Sequence, residues 1–230
     1  MSKLSIIIPI YNEAKTIAKL IHYLAKSSSK QNIHEIIVVD GGSSDNSVDI
    51  VSEYKNILIV LSEKGRAKQM NLGANTATGN ILYFLHADCI PPKNFDKLIL
   101  NEVENGDFAG CFCMKFDSSH WWLKVAGWFT KFSWIICRGG DQSLFIQKQL
   151  FHELGEFDEN YVIYEDNVFI KKLYQRGKFK VIQKPILTSA RLYEKQGVFK
   201  LQYHFFVIHL KYWFGASSQT LHNYYSNHIS

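Results

Sequence analysis

Hydrophobic residues in the first part of the chain form short continuous runs that are separated by helix-like patterns. The runs occupy residues 4–10, 35–40, 57–61 and 80–85. From Ile17 to Leu24, apolar residues recur at i, i+3, i+4 and i+7, which predicts an amphipathic helix. Residues 64–77 also have a helical pattern. Buried strands that alternate with helices predict an α/β fold, with a mainly parallel central sheet flanked by helices.

The second half of the chain is richer in aromatic residues. Its patterns predict strands at 108–116, 143–146 and 179–182, and helices at 164–176 and 198–214. The tail from Gly215 has no charged residue, and we expect it to be loosely held. Because no Gly/Ser-rich linker divides the chain, we predict a single domain over residues 1–230.

Polar residues follow three of the predicted strands, at residues 11–13, 40–43 and 86–88. The carboxyl ends of parallel strands lie at one edge of a sheet, and ligands of such sheets bind there. We therefore expect these three clusters to form one binding site.

Composition narrows the possible functions. The 230 residues include 26 Lys and Arg against 21 Asp and Glu, a net charge of +5, and 47% are hydrophobic, which excludes intrinsic disorder. A modest basic excess suits a nucleoside diphosphate, a lipid surface or a nucleic acid, and all three stay open at this point. Four cysteines without a C-x-x-C pair argue against a zinc site and favour a reducing compartment.

The apolar run at residues 4–10 is followed by Glu13 and Lys15 and by no cleavage site, so we interpret it as a buried strand and not as a signal peptide. No stretch reaches the roughly 18 apolar residues of a membrane span. We expect a cytoplasmic protein, either free or peripherally bound at the inner face of the membrane.

Five segments together resemble the family-2 glycosyltransferases with the GT-A fold. They are residues 5–13 (SIIIPIYNE), 36–45 (IIVVDGGSSD), 65–71 (GRAKQMN), 85–88 (LHAD) and 164–166 (YED). The GRAKQMN run and the GDQ triplet at 140–142 are similar to the subgroup named radical-SAM/selenodomain-associated transferase 2. Each motif alone is weak, but the combination is specific and covers about residues 4–195.

This resemblance implies an inverting glycosyltransferase, which moves a sugar from a nucleotide-diphospho-sugar to an acceptor hydroxyl. Residues 1–90 would be the nucleotide-binding half, and residues 91–230 the acceptor half with a C-terminal helix. We expect a complete but small domain, without a separate acceptor domain. The donor would be a UDP- or GDP-sugar, and the unknown acceptor could be lipid-linked.

The resemblance assigns a set of donor-binding residues, and several of them also have a simpler interpretation. Asp40 would bind the nucleoside beside Gly41, or it is a turn residue. Arg66 would hold phosphate or a base edge with its planar fork, or it is a solvated surface residue. The full set is Pro9, Tyr11, Glu13, Asp40, Gly41, Arg66, Gln69, Asn71, His86, Ala87, Asp88 and Arg191.

Residues 86–88 stand where the family has Asp-x-Asp. We assign Mn²⁺ or Mg²⁺ to Asp88, where the ion would bind the diphosphate and neutralise the leaving group. His86 replaces the first Asp of the motif, and imidazole suits Mn²⁺ better than Mg²⁺. It is either a ligand, a diphosphate contact or a structural residue.

The resemblance also assigns the catalytic and acceptor residues. Asp166 would be the general base that deprotonates the acceptor hydroxyl, with Glu165 as the second choice. Acidic residues at a helix start also have a dipole explanation. Gly140, Asp141 and Gln142 would face the acceptor, or they form a turn before a strand.

Three alternatives stay open. The aromatic segments 120–137 and 198–214 form core packing or a dimer interface, or they rest on a membrane with Lys124, Lys131, Lys200 and Lys211 outward. A sugar nucleotidyltransferase would carry a Gly-rich loop after strand one. This chain has Pro-Ile-Tyr-Asn-Glu at that place, which argues against such an enzyme. A non-catalytic membrane or nucleic-acid binding module would not explain the acidic strand ends, which repel phosphates, so we expect no nucleic acid partner.

Overall fold

The computed structural model describes residues 3–177 and 179–229. Within these residues, eight strands form one sheet in the order β3-β2-β1-β4-β7-β6-β8-β5. The strands are β1 (Leu4–Ile10), β2 (Ile33–Asp40), β3 (Ile57–Leu61), β4 (Ile81–Phe84), β5 (Cys89–Ile90), β6 (Ala109–Phe116), β7 (Leu144–Gln147) and β8 (Lys180–Thr188). The helices are α1 (Ile17–Ser27), α2 (Ser47–Ser52), α3 (Arg66–Thr76), α4 (Phe95–Glu104), α5 (Trp121–Phe129), α6 (Lys148–Glu153), α7 (Glu165–Arg176), α8 (Arg191–Gln196), α9 (Val198–Trp213) and α10 (Ser218–His228).

The predicted α/β fold with a mainly parallel sheet is confirmed. Strand β1 pairs in parallel with β2 on one side and with β4 on the other, and β3 pairs in parallel with β2. Strand β7 runs antiparallel between β4 and β6, and β5 is antiparallel to β8 at the edge. Strands β1, β2 and β4 therefore end at the same edge of the sheet, as the sequence predicts.

The two faces of the sheet bury separate cores because side chains of a strand alternate between faces. Ile6 and Ile8 pack under α1, α2 and α4, whereas Ile7 packs under α3 on the other face. A Cβ at Gly73 of α3 would lie 2.5 Å from Cγ2 of Ile7. Glycine thus lets α3 lie close against β1, which fixes the helix that carries Arg66 and Gln69.

Among the predicted strands, the largest boundary difference is at the C-terminal end of β8. Strand β8 continues to Thr188 rather than ending at residue 182, although Pro185 cannot donate a ladder hydrogen bond. Its pairing with β6 has an irregularity between Phe112 and Cys113, which accommodates this region. Gly140, Asp141 and Gln142 form a short 3-10 turn directly before β7, which is the turn that the sequence left open.

The charge-free tail is an ordered helix, and the expectation of a loosely held tail is wrong. Helix α10 packs against α9, and Leu221 and Ile229 are buried together with Leu201 and Ile208. Apolar contacts with α9 hold this helix, so its lack of charge does not indicate disorder. In the part of the chain that the structure describes, no helix has the length and apolar content needed to cross a membrane.

Candidate functional site

An open cavity of about 860 Å³ lies at the edge where β1, β2 and β4 end. The sequence-predicted residues that line it are Pro9, Tyr11, Glu13, Arg66, Gln69, His86, Ala87, Asp88, Asp141 and Arg191. These residues come from segments that are far apart in the sequence. The polar residues after β1 and β4 thus meet at this cavity, whereas none of residues 40–43 after β2 is among the described residues that line it. The role of each side chain stays a prediction.

Arg191, the first residue of α8, bridges two carboxylates across the cavity. Its Nη2 atom lies 3.1 Å from Oδ2 of Asp88 and 3.3 Å from Oε1 of Glu13. Side-chain exposure is 54% for Arg191, 22% for Glu13 and 26% for Asp88, so all three remain accessible to a ligand. These two ion pairs therefore fix the Arg191 guanidinium and the carboxylates of Glu13 and Asp88 at the cavity wall and leave them accessible to solvent.

Arg66 begins α3 and pairs with Glu165 at the start of α7, with Nη1 3.3 Å from Oε1. Burial raises the pKa of Glu165 to about 7; the charge of Arg66 opposes this shift and the charge of Asp166 adds to it. Burial alone would lower the pKa of Arg66, but the charges of Glu165 and Asp166 raise it. Arg66 is therefore held as a cation in the cavity, with Glu165 buried behind it.

Asp166 lies against the backbone of Gly140. A Cβ at Gly140 would be 2.0 Å from Oδ2 of Asp166 and 2.8 Å from Cε1 of His86. Glycine at this position thus lets the carboxylate and the imidazole approach the 3-10 turn closely. Burial raises the pKa of Asp166, His86 and Arg66 lower it, and the charge of Asp141 raises it further.

His86 contacts Asp141, with Nδ1 3.4 Å from Oδ1. Burial and the charge of Arg66 lower the pKa of His86, but the hydrogen bond that His86 donates to Asp141 and the charges of Asp166 and Asp141 give a net increase. Burial raises the pKa of Asp141, and the contact with His86 outweighs it and lowers that pKa. The imidazole therefore favours its protonated form between two carboxylates.

Several of these side chains could hold a divalent cation. Ligand atoms of His86, Cys89 and Asp141 lie within 4.8 Å of one another. Sγ of Cys89 is also 3.7 Å from Oδ1 of Asp88. Burial, with the charges of Asp141 and Asp88, raises the pKa of the Cys89 thiol, so this group stays neutral. Asp141 and deprotonated His86 therefore offer ligand atoms that suit Mn²⁺, while the assignment of the ion to Asp88, which is not part of this cluster, stays a prediction.

Three predicted donor residues are engaged in local structure. Oδ2 of Asp40 accepts hydrogen bonds from the backbone N–H groups of Gly42 (3.0 Å) and Ser43 (3.1 Å), which is the turn role that the sequence left open. A Cβ at Gly41 would meet the side chain of Gln69 at 2.9 Å. The Nδ2 group of Asn71 donates to the Phe157 carbonyl at 2.9 Å. Contacts of these residues with a nucleotide stay predictions.

Gln69 and Gln142 are both buried beside the site. Nε2 of Gln69 donates to the carbonyls of Ile10 and Val39, 2.8 Å from each, and so joins the ends of β1 and β2. Oε1 of Gln142 lies 3.8 Å from Sγ of Cys111. Gln69 therefore lines the cavity and also holds together the ends of the two strands beneath it. An acceptor role of Gln142 stays a prediction.

Part of the cavity wall consists of residues that the sequence patterns do not predict. Nζ of Lys64 lies 3.9 Å above the ring of Tyr11. The C-terminal helices contribute Tyr193, Phe205 and His222 to the lining. Lys64 directly precedes the Gly-Arg turn at residues 65–66, so the sequence could have indicated it. No sequence pattern indicates that His222 of α10 reaches this cavity.

The family model described as Glycosyl transferase family 2 matches residues 5–157, which is more than half of the chain. The chain belongs to this family. Its narrower resemblance to the radical-SAM/selenodomain-associated subgroup stays a prediction.

Curated relatives are longer than this chain. It is 32% identical over 119 residues to the undecaprenyl-phosphate 4-deoxy-4-formamido-L-arabinose transferase of Proteus mirabilis (strain HI4320), covering 48% of this chain and 36% of the relative. It is 34% identical over 97 residues to glycosyltransferase AglE of Haloferax volcanii, covering 40% and 32%. The chain thus spans about a third of the length of the curated relatives that it matches.

The solved structure of S. aureus TarS residues 1–349 in complex with UDP has the same fold. The TM-score is 0.69 with 23% sequence identity, and the match covers 81% of this chain and 60% of TarS 1–349. A complex of the same TarS fragment with UDP-GlcNAc gives a TM-score of 0.68 at 22% identity. The expected GT-A fold of this family-2 member is therefore confirmed.

Proposed function

We propose that the protein is an inverting, metal-assisted glycosyltransferase, which moves a sugar from a nucleotide-diphospho-sugar to an acceptor hydroxyl. The observation that carries this proposal is the presence of Arg66, Arg191 and Asp88 in one cavity at the ends of β1 and β4. Membership in family 2 supports sugar transfer. The names of the TarS complexes, with UDP and UDP-GlcNAc, support a nucleotide-sugar donor.

The two arginines would bind the diphosphate. A guanidinium group forms paired hydrogen bonds with phosphate oxygens, which makes arginine well suited to this ligand. In the free protein, Arg191 contacts Glu13 and Asp88, so a bound diphosphate would replace carboxylate partners that are already arranged around it. Lys64 and Tyr11 at the same wall would contact the nucleoside side of the donor.

Asp88 would hold the divalent ion, and Asp141 and the neutral form of His86 would supply further ligands from the neighbouring cluster. When bound, Mn²⁺ or Mg²⁺ supplies positive charge that stabilises the leaving nucleoside diphosphate. Asp141, His86 and the neutral Cys89 thiol lie within one small cluster beside Asp88. Replacement of the first family Asp by His86 favours Mn²⁺ over Mg²⁺.

Asp166 would act as the general base. Its raised pKa makes it a stronger base than an ordinary carboxylate, and a single base is sufficient for one displacement with inversion. Glu165 already pairs with Arg66, so we assign it the role of positioning that arginine. Gly140 supports this assignment because it allows the Asp166 carboxylate to approach the turn that carries Asp141.

The acceptor and the location of the protein belong to the same proposal. The name of the Proteus mirabilis relative contains undecaprenyl-phosphate, which supports a lipid-linked acceptor for this chain. Buried free thiols at Cys89, Cys111 and Cys113 support a reducing compartment, and we propose a cytoplasmic location. Family membership favours sugar transfer over the alternatives of a sugar nucleotidyltransferase and a non-catalytic module.

The experiment is a screen of UDP- and GDP-sugars for turnover with Mn²⁺, with wild type and Asp166→Asn. We expect the variant to bind nucleotide normally and to lose about 10²–10⁴-fold in rate, the usual contribution of a general base. Asp117→Asn, an exposed carboxylate beyond β6, is the matched control and should keep full activity. Normal turnover by Asp166→Asn would assign the base elsewhere, and absence of nucleotide binding by wild type would contradict the proposed function.

A further inference from the structure

Helix α9 has apolar residues on two opposite sides. Leu201 and Ile208 face the protein body and are buried. The outward side carries Phe199, Tyr203, Phe206 and Trp213, which are 57%, 62%, 51% and 60% exposed. These positions follow helical spacing and form one stripe. The outward side of a surface helix is normally polar, so this stripe requires another explanation.

Helix α5 has the same arrangement. Leu123 and Gly127 are buried, whereas Trp121, Val125 and Trp128 are exposed on the other side. The ring centroids of Trp121 and Phe199 are 6.2 Å apart, so the stripes of α5 and α9 meet. We call the two joined stripes the aromatic face; its residues are Trp121, Val125, Trp128, Phe199, Tyr203, Phe206 and Trp213.

The segment after α5 extends this surface. Trp134, Ile135 and Ile136 are 53%, 39% and 45% exposed. Buried Arg138 holds the segment in place, since Nη2 donates to the carbonyl oxygens of Thr130 (2.6 Å) and Phe132 (2.7 Å). Apolar residues are thus fixed in an exposed position by hydrogen bonds from a buried cation.

Positive charge is concentrated in the same two parts of the sequence. Residues 118–140 and 195–230 contain six Lys and Arg and no Asp or Glu, so they carry a charge of +6. Arg138 is buried, and the other five are lysines that are not. The residues outside these two segments carry 20 − 21 = −1, which together gives the net +5 of the chain. All five tryptophans also lie in these two segments. Basic and aromatic residues without acidic ones are typical of surfaces that contact anionic lipid.

A second cavity, of about 320 Å³, lies between α5 and strands β6 and β8. Its lining is mainly apolar, with Leu123 and Trp128 among its residues, and Lys115, Lys124 and Lys131 also line it. Among the described residues that line it, none is a carboxylate. This combination fits the phosphate and adjoining apolar part of a lipid headgroup.

We propose that the aromatic face docks on the surface of an anionic lipid bilayer, with the lysines of α5 and α9 at the lipid phosphates. A second copy of the chain fits less well, because a two-fold interface would bring the same basic surfaces together. Lysine is also depleted from protein interfaces. This docking goes beyond sugar transfer, since it needs neither donor nor acceptor. Because Phe205 of α9 lines the cavity at the sheet edge, docking also places that cavity beside the lipid.

The test uses the full chain and vesicles of phosphatidylcholine with or without phosphatidylglycerol, in a co-sedimentation assay. Wild type should bind the anionic vesicles at low salt and dissociate at high salt, because salt screens the lysines. Phe206→Ser and Trp213→Ser should each weaken binding about tenfold, since each removes a large apolar contact. Lys124→Gln should weaken it about fivefold. Tryptophan emission should shift to the blue when vesicles are added.

Phe108→Ser is the matched control, because Phe108 is 45% exposed but lies outside the aromatic face. It should bind vesicles as wild type does. Analytical ultracentrifugation on the same samples tests the alternative that a second copy of the chain covers the aromatic face. The proposal is overturned if wild type fails to bind anionic vesicles at low salt, if Phe206→Ser binds equally well, or if a dimer that Phe206→Ser dissociates covers this face.

Discussion

The contact between Gly140 and Asp166 makes the assignment of the base testable by adding one methyl group. In Gly140→Ala, the new Cβ would lie 2.0 Å from Oδ2 and 2.8 Å from Cγ of Asp166. Ordinary van der Waals contact begins at 3.4 Å, so the carboxylate oxygen must move by about 3.4 − 2.0 = 1.4 Å if the backbone stays fixed. His86 must also give way, because its Cε1 atom would be 2.8 Å from the methyl group.

This displacement should reduce turnover much more than donor binding. A misplacement of about 1 Å in a catalytic group can reduce rate by about 10²-fold. Overpacking should also lower the free energy of unfolding by about 1–3 kcal/mol. The cavity residues that would bind the donor, Arg66 and Arg191, pair with Glu165 and Asp88 and not with Asp166, so the dissociation constant for nucleotide should change little.

The neighbouring Gly139 provides the control. A Cβ there would meet nothing within 4 Å, and φ is −175°, an extended conformation that alanine adopts readily. The assay is release of nucleoside diphosphate from the best donor, with calorimetry for nucleotide binding. We expect Gly139→Ala to behave as wild type and Gly140→Ala to lose rate while retaining binding. Wild-type turnover by Gly140→Ala would refute the placement of the base at Asp166.

Three further predictions concern charges and hydrogen bonds at the cavity. Because burial raises the pKa of Glu165 from 4.5 to about 7, its ionisation costs stability as pH rises through this window. Glu165→Gln should therefore be more stable than wild type at pH 8, with a difference that shrinks toward pH 4.5 in thermal unfolding. Arg191→Ala should bind Mn²⁺ more tightly without nucleotide, since it frees Asp88, but should bind nucleotide more weakly; titration calorimetry measures both. Gln69→Leu removes the side-chain donor to the buried carbonyl groups of Ile10 and Val39, although Ile10 keeps the backbone N–H of Gly41. It should cost about 1–3 kcal/mol in urea unfolding, and an unchanged midpoint would contradict this role.

The location of the cavity could be predicted from the sequence because it depends on local patterns. Apolar runs define β1, β2 and β4, and the polar residues directly after each run must lie at one edge if the strands are parallel. Tyr11, His86 and Asp88 therefore reach the cavity as expected. The same reasoning predicts the sheet but not the antiparallel direction of β7, which depends on how the second half returns to β4.

The partners of each side chain could not be predicted, since they come from distant parts of the chain. Arg66 and Glu165 are 99 residues apart, and Arg191 is 178 residues from Glu13. The hydrogen bonds of Asp40 to the turn and of Asn71 to the Phe157 carbonyl depend on atoms whose positions only the packed fold defines. Helix α10 was missed because its packing against α9 rests on a few apolar residues, while its sequence is otherwise polar and uncharged.

Calorimetric titration of UDP and GDP with and without Mn²⁺, on wild type and Asp88→Asn, tests the proposed metal-assisted nucleotide site most directly. Wild type should bind one of these nucleotides more tightly with Mn²⁺. Asp88→Asn should lose this dependence, while Asp117→Asn should retain it. Failure of wild type to bind either nucleotide, or an equal effect of Mn²⁺ on Asp88→Asn, would contradict the assignment of a metal-assisted nucleotide-sugar site to this cavity.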